Sequence, residues 1–236
     1  MLGLNLKMTK NSNKPTALVL PDMYTYMRLD LGVGLNSGNV ASLGDQTGNN
    51  HGLSQATSSK MPLYTASSAA FNNRPIMTLD GIDDVLKGTS FAYGAFTFFM
   101  TARLLGTDGY FYTRQGYNDY FFVNGSPEIY VKRGVTICSK SSPLRATATP
   151  KFYVLRYDGT AAGLRVFVNN SETTLSPGVT ADPGTGSITS NFIVGSDDAT
   201  YFSNLEVAEI GLATRALSDT EIGALWSDSR ALFNLS

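Results

Sequence analysis

Short runs in which apolar and polar residues alternate, each closed by a turn-forming pair, fill most of this chain and leave it little choice of fold. FTFFMTARL (96–104) sets Phe96, Phe98 and Met100 against Thr97, Phe99 and Thr101. GYFYTRQ (109–115), DYFFVNG (119–125), EIYVKRG (128–134), KFYVLRYDG (151–159), LRVFVNN (164–170), NFIVGSD (191–197) and LEVAEIGLA (205–213) carry the same signature. A period of two sends alternate side chains to opposite faces, which is the pattern of a strand. The Asn-Gly and Asp-Gly pairs between runs accept the positive φ that tight reversals need. Many short strands with turns at near-regular spacing predict an all-β, antiparallel two-sheet β-sandwich.

One helix is predicted, at the C-terminal end. In ALSDTEIGALW, Ser218 is placed to cap and Glu221 stands three residues on, the spacing of a capping box. Leu217 and Ile222 flank that cap as a hydrophobic staple, and Ile222, Leu225 and Trp226 share a face expected to dock on the sandwich edge. Residues 1–15 are polar with three lysines and are expected to form an N-terminal arm or disordered tail. Residues 16–236 show no linker and read as one domain.

Charge excludes several functions. With 18 basic and 19 acidic residues, net −1, the chain lacks the basic excess that drives phosphate binding, so neither nucleic acid nor an anionic membrane is an expected partner. No apolar run has membrane-spanning length; FAYGAFTFFM is interrupted by glycine and followed by Arg103. The first residues lack the apolar stretch and cleavage site of a signal peptide, so synthesis in the cytoplasm is expected. Cys138 is the one cysteine, which rules out an intrachain disulfide; within VTIC it reads as a small buried apolar residue. With His51 as the one histidine, the common zinc sites cannot be assembled and no cofactor is expected.

The segment RPIMTLDGIDDVL (74–86) poses the sharpest question, because Asp80, Asp83 and Asp84 could be acids, metal ligands or parts of a turn. Ile76 and Leu79 are strand positions. Asp80-Gly81 has the chemistry of a reversal, and Asp83 and Asp84 are placed to accept backbone N–H bonds at the start of the next strand. A structural turn is the expected outcome.

Four segments in order, SGNVASLGDQTGNNHGLSQAT (37–57, preceded by YMRLDLGVG), RPIMTLDGIDDVL (74–86), LRVFVNN (164–170) and LEVAEIGLATRALSDTEIGALW (205–226), resemble the laminin-G-like, concanavalin A-like jelly-roll domains. The resemblance spans about residues 20–235; many relatives carry tryptophan where Leu43 stands. It implies a jelly-roll sandwich closed by a short terminal helix, a role outside cells, and in many relatives calcium at the sandwich rim. Asp197 and Asp198, in GSDDAT (195–200), are the calcium candidates here, against a plain Asx turn.

The jelly-roll glycanases place their acids on one strand as Glu-x-Asp-x-x-Glu, and none of Glu128, Glu172, Glu206, Glu209 and Glu221 opens that spacing. Glu206 and Glu209, three apart on a regular strand, are expected on opposite faces. There is no GxSxG elbow, and GVGLNSGN (32–39) follows no strand-to-helix transition. No catalytic residue is therefore assigned. The candidate ligand-binding residues are Tyr112, Arg114, Tyr117, Asp119 and Tyr120, where aromatic faces and planar polar groups suited to sugars, or to a protein interface, lie on adjacent strands. The leading expectation is a non-enzymatic virion component, on a phage capsid or tail, that binds neighbouring subunits, its own copies or host-surface glycans. A lectin-type adhesion module and a jelly-roll glycan-cleaving enzyme are the alternatives.

Overall fold

The computed structural model describes residues 15–106, 110–114, 119–122, 128–141, 147, 149–196 and 201–236. The strands are β1 (Met23–Arg28), β2 (Val33–Asn36), β3 (Asn39–Leu43), β4 (Leu53–Ser54), β5 (Leu63–Ser68), β6 (Arg74–Asp80), β7 (Leu86–Tyr93), β8 (Phe96–Leu104) and β9 (Tyr110–Arg114). They continue with β10 (Asp119–Phe122), β11 (Glu128–Arg133), β12 (Thr136–Ser141), β13 (Lys151–Tyr157), β14 (Arg165–Val168), β15 (Ser171–Thr173), β16 (Ser176–Thr180), β17 (Ile188–Val194) and β18 (Asn204–Ala213). Helix α1 (Asp219–Phe233) follows.

Pairing is antiparallel throughout and runs in two layers. The first is β15-β14-β13-β8-β18, with β1 and β6 end to end along the other side of β18 and β5 beyond β6. The second is β2-β3-β4-β7-β17-β9-β10-β11-β12-β16. A bridge between Asn39 and Leu63 links them. This is the two-sheet sandwich that the alternation predicts. Phe98 and Met100 of β8, Leu155 of β13 and Ile210 of β18 meet Leu86 and Phe91 of β7, Phe192 of β17 and Val131 of β11 in the interior. Cys138 lies in that interior, as expected, and burial pushes its thiol up.

The terminal helix does more than close an edge. Ser218 and Glu221 form the capping box, Leu217 and Ile222 are both buried, and Arg215 clamps the Glu221 carboxylate with two N–H groups, holding it down at about 2. Yet α1 lies across the outer face of the first sheet and not on the sandwich edge. Ile222, Leu225 and Phe233 pack with Tyr26, Phe99, Phe152, Val154 and Phe167, and Trp226 sits 6.1 Å from Phe152 as packing for that layer. The first sheet is therefore covered on both faces, which is why β8 is buried along nearly its whole length.

Both described ends of the chain sit on this helical side. The Thr16 N–H donates to Asp228 of α1, and the carbonyl oxygen of Ser236 accepts from Asn169 Nδ2 and Lys151 Nζ. Residues 1–14 of the expected arm lie outside the described residues.

One side-chain direction departs from the alternation. Val207 pairs with Ala102 but Glu209 pairs with Thr101, so β18 carries one extra residue at Ala208. A bulge shifts the parity of everything beyond it. Glu206 and Glu209 consequently face the same side, Glu206 in a two-pronged pair with Arg103 and Glu209 bonded to Thr101.

Candidate functional site

The acidic segment after β6 is a turn built from its own carboxylates. Gly81 has φ 79°, Asp80 Oδ1 accepts from the N–H groups of Ile82 and Asp83, and Asp84 Oδ2 accepts from the Asp80 N–H at 3.0 Å. Ligand oxygens of Asp80, Asp83 and Asp84 lie within 4.8 Å of one another. Burial, with the charges of Asp80 and Asp83 adding to it against the Asp80 N–H bond, pushes the Asp84 carboxyl up to about 6. The calcium candidates Asp197 and Asp198 lie outside the described residues; Gly195 lies close against Leu79 and the Asp84 carbonyl.

Other acids are equally engaged in holding the fold. Asp45 accepts from the backbone N–H groups of Tyr26, Thr47 and His51 and from the Thr47 hydroxyl, and these bonds outweigh burial to hold its carboxyl below the usual value. That loop sets the His51 ring on Tyr24, 3.8 Å away and 12° from parallel, with Phe91 stacked on the other side. Glu209, fully enclosed, accepts from Tyr26, Thr101 and Ser229, and burial raises its carboxyl above the ordinary range.

Of the sequence-predicted ligand residues, Tyr112 and Arg114 lie on β9 and Asp119 and Tyr120 on β10, while Tyr117 falls outside the described residues. The ladder brings the two strands together. Tyr112 pairs with Phe121, Tyr120 with Thr113 and Tyr130, Asp119 with Val131, and Arg114 with Phe192 of β17. Tyr120 thus stands opposite the residue between Tyr112 and Arg114, one step out of their row.

An open groove of about 340 Å³ lies where the two sheets part, between β14–β15 on one side and β12–β16 on the other. Ala162, exposed, and Leu175, half-buried against the interior, give it its apolar surface, with Leu164 fully buried beneath. Thr173, Thr174, Arg165, Glu172 and Lys140 supply the polar lining. Lys140 Nζ reaches from the second sheet to the Leu164 carbonyl, 2.8 Å, bridging the layers. Arg165 donates from Nε to the Ala162 carbonyl and from Nη1 to Glu172, both at 3.3 Å. The lining is more polar than apolar, so a ligand here would be held mainly by hydrogen bonds and charge. The sequence holds one clue to it. Arg165 and Glu172 flank the Asn169-Asn170 reversal as diagonal cross-strand neighbours. Lys140 comes from a distant strand, and nothing local announces it.

No family model matches the chain, and no curated protein matches it. Solved structures do match. The binding domain of botulinum neurotoxin DC, in complex with rat synaptotagmin II, is 11% identical with a TM-score of 0.60, over 88% of this chain and 52% of that one. Trypanosoma rangeli sialidase is 15% identical with a TM-score of 0.57, over 89% of this chain and 33% of that one. Domain 4 of AbnA, a GH43 extracellular arabinanase from Geobacillus stearothermophilus, in complex with arabinotriose, is 12% identical with a TM-score of 0.53, over 86% of this chain and 98% of that domain. The chain spans about half the length of the toxin binding domains and a third of the sialidase. At these identities the likeness is one of fold, and it agrees with the jelly-roll sandwich expected from the sequence.

Proposed function

We propose that this chain is a non-catalytic binding module that takes saccharides in the groove between β14–β15 and β12–β16, and that it serves on the surface of a virion. The groove carries the reading: the threonines and charged groups that line most of it suit sugar hydroxyls, and the small apolar surface of Ala162 and Leu175 suits a C–H face of the ring. The arabinotriose complex of the AbnA domain supports saccharide binding by a sandwich of this shape. The commitment of Asp45, Asp84, Glu209 and Glu221 to structural bonds supports a binding role over hydrolysis, which needs two carboxyls flanking one bond.

A glycan array with the whole chain tests the binding reading. Selective binding weakened by Thr174→Trp in the groove is the expected result. Retained binding in that variant, lost instead on Tyr112→Ala or Arg114→Ala, would move the site to β9 and β10. Mass spectrometry of purified particles tests the virion setting, which fails if the chain is absent from them.

A further inference from the structure

We infer that the saccharide taken by this groove is an acidic one, carrying a carboxylate on the sugar ring as a uronic acid does, and that Arg165 and Lys140 read that carboxylate. The inference rests on the saccharide-binding reading above.

Two cations and one acid line the groove, so its own charge leaves one positive group unbalanced. The acid is loosely held. Glu172 meets Arg165 through a single bond of 3.3 Å, and its side chain is 49% exposed. Arg165 uses Nε and Nη1 on long bonds, and Nη2 has no partner among the described residues. A guanidinium matches a carboxylate best with two parallel N–H groups, a geometry Glu172 does not supply. A ligand carboxylate that takes both prongs therefore improves on the resident pair and releases Glu172 to water. Lys140 spends one ammonium proton on the Leu164 carbonyl, which fixes its position and leaves two to donate. Among the described residues the lining contains no Asn or Gln, the planar neutral groups that would bond hydroxyls without favouring charge. The hydroxyls of Thr173 and Thr174 remain for the neutral part of the sugar.

Calorimetry on the whole chain with digalacturonate, its methyl ester and neutral galactobiose tests this. The free acid is expected to bind about tenfold more tightly than the ester at low salt, with the preference shrinking as salt is raised. Arg165→Gln should abolish the preference, and Glu172→Gln, which removes the resident competitor, should raise affinity for the acid roughly threefold. Equal affinity for acid and ester, unmoved by Arg165→Gln, would overturn the inference while leaving the groove a neutral-sugar site. If none of the three probes binds and no carbohydrate on the array does, the saccharide-binding reading itself falls.

Discussion

Ser229 on α1 donates its hydroxyl to Glu209 on β18, so the terminal helix is tied to the central strand through a buried carboxylate. Tyr26 and Thr101 donate to the same group from the strands on either side. Glu209→Ala leaves three buried hydroxyls without their acceptor. It is expected to lower stability by about 3 kcal/mol, and the Tm by about 6–12 °C. Glu209→Gln keeps an acceptor oxygen and removes a desolvated charge, so it should lose far less. Because burial raises this carboxyl, the folded chain holds its proton more tightly than the unfolded chain does. Its contribution is largest at acid pH and declines as pH rises through the folded value. Thermal unfolding of both variants at several pH values reads this out; an alanine variant as stable as the parent would remove the tie.

Asp45 has the opposite sign. Its carboxyl is held below the ordinary value by four donors, so its contribution is present above about 4 and is lost as pH falls through the folded value. Asp45→Ala is expected to cost about 2–3 kcal/mol and to release His51 from Tyr24. The imidazole resonances report the release directly, since ring-current shifts from Tyr24 should vanish in the variant. Unchanged shifts would mean that the stack stands without the loop.

Asp84 can be separated from both by its pH window. With its carboxyl pushed up to about 6, it stabilises fully below the ordinary value of 3.8 and loses that contribution as pH rises through 6. Asp84→Asn keeps an acceptor for the Asp80 N–H and has no charge to bury. The variant should match the parent near pH 4 and exceed it by about 2 kcal/mol at pH 7.5. Urea unfolding at the two pH values measures the difference. A variant weaker than the parent at pH 7.5 would show the carboxylate to be needed in its charged form.

Gly211, in the middle of β18, lies between Tyr26 and Phe99, whose ring centroids are 6.1 Å apart. A methyl group there would meet the Phe99 ring at 2.0 Å. Gly211→Ala is expected to cost about 1–3 kcal/mol, as overpacking of a filled layer does. The double variant Gly211→Ala, Phe99→Leu should recover part of the loss, because the ring is what the methyl strikes. No recovery would locate the strain in the backbone instead.

What the residues disclosed in advance was mostly local. The capping box at Ser218, the Asp80-Gly81 turn and the β13–β14 and β10–β11 hairpins follow from periodicity and turn chemistry. The Asn169-Asn170 reversal, both at positive φ, is likewise a local matter. The shared direction of Glu206 and Glu209 was hidden because a single bulge at Ala208 reverses parity, and no residue type marks it. Glu209 read as an ordinary strand acid, since its burial depends on where α1 lands. The groove was hidden for the same reason. Lys140 and Arg165 line one groove only because the fold brings β12 beside the start of β14.

Thr16 and Ser236 are both fastened on the helix-bearing flank, while Lys140 and Arg165 lie at the opposite end of the β14–β15 hairpin from the Asn169 contact with Ser236. Holding the molecule at Ser236 would therefore turn the mouth between the sheets away from the support. Immobilisation through a surface lysine would scatter that orientation and, at Lys140, block the mouth.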